Sequence, residues 1–114
     1  MTDELNEKKC EPCLGGMPVI APDVAENMMG QLHQDWVLAD SGKALVRRLK
    51  LKGFNKPVYH ANLAAFLGDQ EGHHPDICFG WEYCTVKFKT HIVGGLTQND
   101  FICAAKYDRL VAGG

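Results

Sequence analysis

The sequence predicts an α+β domain of order α-β-β-α-β-β-α, a four-stranded antiparallel sheet with three helices packed on one face. Three observations carry that expectation. Apolar residues recur at helical spacing in three separate stretches, and between these stretches lie two segments where apolar and polar residues alternate around turn residues. The chain is also short: 114 residues, 46% of them hydrophobic and 23% charged, suffice for one core and little more. Hairpins alternating with helices suit one antiparallel sheet covered by helices on a single side.

The elements follow in order. Residues 1–22 hold Pro12, Gly15, Gly16, Pro18 and Pro22 with little periodicity, and read as an irregular arm before a domain at 23–114. From Asp23 to His33, Val24, Met28 and Leu32 fall four apart, with Pro22 and Asp23 suiting a helix start and Gly30 weakening its end. Residues 36–50 alternate about Asp40-Ser41-Gly42 as a hairpin. Residues 55–70 place Val58, Tyr59, Leu63, Phe66 and Leu67 at helical spacing, with Pro57 inside the first turn and an end between Gly68 and Gly72. A second hairpin runs from Ile77 through Trp81 to Thr90, with Cys84, Val86 and Phe88 on one side and Thr85, Lys87 and Lys89 on the other. Thr97 to Asp100 fits a capping box in its Asp variant and opens a last helix reaching about residue 111. The uncovered sheet face is expected to carry Arg47, Lys87 and Lys89.

Composition narrows the function classes. Twelve basic against fourteen acidic residues leave a net charge of -2, so there is no basic excess for a phosphate backbone and no direct nucleic-acid partner is expected. No apolar run is long enough to span a bilayer and the first residues are densely charged, so the expectation is a cytoplasmic protein without a membrane partner. Five cysteines, three of them inside apolar stretches, make a disulfide framework an unfavoured reading. Cys10-Glu11-Pro12-Cys13 is a single CxxC without a second ligand pair, too little to specify a zinc site, and is read as structural.

The residues that could carry chemistry are histidines. His73-His74-Pro75 lies in a loop before the third strand, where Pro75 can fix both imidazoles toward a cleft. His91 ends the fourth strand, which the hairpin returns to the start of the third, so His73 and His91 are expected to be neighbours. Imidazole both donates and accepts protons near neutral pH. Asp100 can serve the helix cap and a histidine at once. Trp36 and Trp81 fall in expected strands, where they either fill the core or wall a pocket for a flat ring.

Asp69, His73-His74-Pro75, Trp81, Thr90-His91, Gly95-Leu96-Thr97 and Asp100 together resemble the pterin-4a-carbinolamine dehydratase family over about residues 23–112, in a bacterial-type member whose arm Lys9 to Gly16 is also similar. The resemblance implies the same fold, a homodimer or homotetramer, and neither metal nor organic cofactor. It implies dehydration of a 4a-hydroxytetrahydropterin to quinonoid dihydropterin, recycling the cofactor of aromatic amino acid hydroxylases, which are its functional partners. Such a reaction needs an acid for the departing hydroxyl and a base for the N5 proton. Carried over, His73 and His91 are the acid and base, His74 orients substrate, and Asp100 supports His91. The catalytic set is thus His73, His74, His91 and Asp100. The substrate-binding set is His73, His74, Pro75, Lys89, Thr90, His91, Ile92 and Trp36, with backbone groups of the two loops reading the pyrimidine edge. The alternatives are a dimerisation or scaffold partner without catalysis, and a metal-binding module built on Cys10, Cys13 and the histidines.

Overall fold

The computed structural model describes residues 4–11 and 17–113. Its elements are α1 (Pro22–Met28), β1 (Trp36–Ala39), β2 (Ala44–Lys50), α2 (Asn55–Glu71), β3 (Asp76–Gly80), β4 (Tyr83–Phe88) and α3 (Gln98–Gly113), with single 3-10 turns at Leu5–Glu7, Met29–Gln31 and His91–Val93. The sheet is antiparallel in the order β1-β2-β4-β3. This is the expected α+β order.

Alternation in β4 decides which face is dry. Cys84, Val86 and Phe88 have no exposed surface, and the cross-strand register adds Leu45, Leu49 and Trp36 to the same side, against α2 and α3. Burying each large apolar side chain there is worth about 1.5–3 kcal/mol. Four residues, Asp40 to Lys43, connect β1 to β2, and Asp40, Ser41 and Gly42 all take positive φ. The first helix stops sooner than its periodicity suggested: it ends at Met28 and tightens into a 3-10 turn holding Gly30.

Two expectations are corrected by the packing. Arg47 does not lie on the open face: it is 6% exposed and its Nη1 donates to Asp108 Oδ1 of α3 at 2.6 Å. Asp108 also accepts from the Trp36 indole at 2.7 Å and the His33 N–H at 2.8 Å, so one carboxylate ties α3 to the first hairpin. Trp81 is in the β3–β4 turn rather than a strand and is 70% exposed. The described part of the arm lies over the domain, with Leu5 buried in the core and the Ile20 N–H bonding the Leu96 carbonyl at 2.8 Å.

Candidate active site

The end of α2 sets the first histidine. Gly72 takes φ +67° and its N–H bonds the Asp69 carbonyl at 3.3 Å, while the His73 N–H bonds the Gly68 carbonyl at 3.1 Å. These are the paired bonds of a Schellman ending, and they fix the backbone of His73 to the helix. Gly68 is required for the same approach. A Cβ there would sit 2.5 Å from Pro75 Cδ and 3.3 Å from the His73 carbonyl oxygen. The loop His73-His74-Pro75 therefore lies directly on α2.

His73 points inward. It is 5% exposed, its ring stacks on Phe88 with centroids 6.3 Å apart, and its Nε2 meets Asp100 Oδ1 at 2.6 Å. Asp100 is fully buried in the first turn of α3, and its second oxygen accepts from the Thr97 N–H at 2.9 Å and the Thr90 hydroxyl at 2.7 Å. The Thr97 bond is the carboxylate half of the expected capping box. Because the Thr90 hydrogen goes to Asp100, the 2.9 Å contact between the threonine hydroxyls is a donation from Thr97 to Thr90. One carboxylate thus joins the His-His-Pro loop, the second residue after β4 and the start of α3.

His91 and His74 are both exposed. His91 opens the 3-10 turn His91–Val93, directly after Thr90. The turn is closed by Thr90 N–H to Gly95 O at 3.3 Å, Val93 N–H to Thr90 O at 3.3 Å and Gly94 N–H to His91 O at 3.1 Å. A cleft of about 240 Å³ opens beside it, lined by Asp40, Lys43, Lys89, Thr90, His91, Gly94 and Gly95. Lys87 bonds Asp40 at 2.7 Å, and that hydrogen bond and charge hold the Asp40 carboxyl below its ordinary range. Lys43 and Lys89 leave the rim of the cleft basic. A larger cavity of about 510 Å³ lies between α2 and α3, and none of the histidines lines it.

Residues 18–110 match the family described as Pterin 4 alpha carbinolamine dehydratase. The chain belongs to the pterin-4a-carbinolamine dehydratase family. A relative from Nitrosomonas eutropha is 43% identical over 108 residues, covering 95% of this chain and 94% of its own length. One from Rickettsia bellii is 40% identical over 110 residues, covering 96% of each. Both carry the provisional name pterin-4-alpha-carbinolamine dehydratase. A solved structure titled transcriptional coactivator/pterin dehydratase from Brucella melitensis superposes with a TM-score of 0.74 at 22% identity, over 82% of this chain and 98% of that one, and is similar in fold.

Within this family member, several assigned roles change. Asp100 was expected to support His91, but both its oxygens are engaged by His73, Thr90 and Thr97. Trp36 was expected against the substrate, yet it is 3% exposed and its indole N–H is committed to Asp108. Thr90 was expected to read a ligand through its backbone, but its N–H and C=O both close the turn and its side chain serves Asp100. Lys89 and His91 do line a cleft, and Ile92 is exposed beside them. Sequence reasoning missed Phe88 as the floor under His73 and Gly68 as the clearance for Pro75. A glycine inside an otherwise regular helix was the available signal for the latter. Cys13 lies outside the described residues. Among the described residues no three His, Cys, Asp or Glu side chains gather to hold a metal ion, and no helix is long and apolar enough to cross a membrane.

Proposed function

We propose that this protein dehydrates a 4a-hydroxytetrahydropterin to quinonoid dihydropterin by histidine acid-base catalysis, returning the cofactor of aromatic amino acid hydroxylases to use. The observation that carries the reading is the 2.6 Å contact between His73 and a fully buried Asp100. A core that spends a buried carboxylate on orienting one imidazole has positioned that ring for more than packing.

Elimination of water needs two proton transfers. One group protonates the leaving 4a-hydroxyl and another takes the proton from N5, leaving a C=N bond in the ring. In this proposal His73 and His91 divide those tasks and His74 holds the pterin, while Asp100 is a positioning residue for His73. The basic rim at Lys43 and Lys89 suits the electron-rich edge of the heterocycle. Each well-placed acid or base contributes typically about 10²- to 10⁴-fold. The working form is a homodimer or homotetramer of a cytoplasmic enzyme.

The test is the rate of quinonoid dihydropterin formation, followed by its absorbance, from enzymatically generated 4a-hydroxytetrahydropterin. Wild-type protein is expected to accelerate it, and His73→Ala to lose at least about 10²-fold. Equal rates for the two proteins would sink the assignment and favour a scaffold without catalysis.

A further inference from the structure

The arm carries a feature that the dehydration does not use. Cys10 Sγ lies 3.4 Å from Cys103 Sγ, although 93 residues separate them. The approach is built by other contacts. Cys10 N–H donates to Glu71 Oε1 at 2.9 Å, Glu11 N–H donates to Asn99 Oδ1 at 3.0 Å, and Asn99 Nδ2 donates to the Glu11 carbonyl at 2.7 Å. Asn99 is buried, so this reciprocal pair fastens the arm to the start of α3. Glu71 closes α2 and Asn99 precedes Asp100. The arm thus covers the two helix ends that position His73 and its carboxylate.

The two sulfurs differ in access. Cys103 is buried on α3, whereas Cys10 is half-buried and lines a cavity of about 310 Å³ with Lys9, Gln70, Glu71 and Lys106. A solute in that cavity meets Cys10 first. The Cys103 thiol is pushed far up by its hydrogen bond to Cys10, then by burial, with the nearby carboxylates of Glu71 and Asp100 adding to it. Cys103 is therefore the second thiol to react.

We propose that Cys10 and Cys103 are a reversible dithiol pair that a low-molecular-weight disulfide oxidises to an intrachain bond, clasping the arm onto α3. In the first step the Cys10 sulfur attacks the small disulfide, forming a mixed disulfide and releasing one small thiol with the Cys10 proton. In the second the Cys103 sulfur attacks Cys10 Sγ, and the departing small thiolate takes the Cys103 proton. Two electrons leave the protein and reduce the small disulfide to two thiols. The sulfurs close from 3.4 Å to a bond of about 2.05 Å, a movement within reach of a side-chain rotation on the arm. Closing so long a loop constrains the unfolded chain strongly. The oxidised form is accordingly the more stable.

The experiment uses the full chain equilibrated with graded ratios of oxidised to reduced glutathione, quenched by alkylation and digested with trypsin, which cuts after Lys9; Cys10 and Cys13 share the resulting peptide, and fragment ions that break between them assign the linked sulfur. A Cys10–Cys103 linked peptide that disappears in dithiothreitol is expected, with a Tm higher by about 5 °C or more in the oxidised protein. Cys103→Ala should lose both signals. If that core variant fails to fold, Cys10→Ser on the arm supplies the same comparison. A Cys10–Cys13 or Cys13–Cys103 link, glutathione attached only at exposed Cys78, or full alkylation of Cys103 under oxidising ratios would each overturn the proposal. None of these readouts depends on dehydratase activity, so failure of the pair and failure of the proposed reaction are separable.

Discussion

His73 is joined to Thr90 through the Asp100 carboxylate, His91 follows Thr90 in the chain, and the two histidines are held in opposite ways. His73 is buried, stacked on Phe88 and bonded to Asp100, whereas His91 is exposed on a 3-10 turn fixed through its backbone. One imidazole is fixed by the core, and the other stands in solvent with only its backbone fixed. Stability and catalysis should therefore separate between them, because a group bound into the core affects folding and a surface imidazole does not.

The largest break in that contrast is Asp100→Ala. It leaves the Thr97 N–H, the Thr90 hydroxyl and His73 without their common acceptor, and a loss of about 3–5 kcal/mol is expected in urea unfolding, together with most of the activity. Gly68→Ala comes next. Its methyl group meets the rigid Pro75 ring at 2.5 Å, so the loop must shift, costing about 1–3 kcal/mol less whatever Ala restores to the helix. The pterin rate should respond as well as stability, since the loop that must shift carries His73. His91→Gln is the opposite case, with stability expected within about 0.5 kcal/mol of wild type and a rate loss of about 10²- to 10⁴-fold. Unfolding midpoints and initial rates on the same preparations check all three.

The smallest effect is set by pH. Burial alone would raise the Glu71 carboxyl, but the Cys10 N–H and the Lys106 ammonium outweigh it and hold the group below its ordinary value of 4.5. A depressed carboxyl contributes stability above its unfolded pKa and loses it as pH falls through the folded one. Hydrogen-exchange protection of the Cys10 amide should therefore persist at neutral pH and fade as the solution is acidified below about 4.5.

Much of the fold was legible because alternation is a local signal. Cys84, Val86 and Phe88 announced the dry face of β4, and Pro57 and Gly72 marked the two ends of α2. Arg47 was misplaced because a charged residue ordinarily reads as wet, and the partner that buries it, Asp108, is 61 residues away. The site shows the same division. Spacing drew attention to the three histidines and to Asp100, and the capping box came from local sequence alone. Which histidine the carboxylate serves depends on how the start of α3 packs against the end of α2. That is a tertiary fact, 27 residues apart in the chain, and no periodicity records it. Thr90 was noticed for its neighbours and missed for its hydroxyl, since hydroxyl partners are chosen by packing.

The central claim is that Asp100 works through His73. A double-mutant cycle measures it most directly: dehydration rates of wild type, Asp100→Asn, His73→Ala and the double variant, each confirmed as folded. If Asp100 acts only by orienting His73, the double variant should be no slower than His73→Ala alone. Rate losses that multiply, with the double variant slower by the product of the two single effects, would contradict the account.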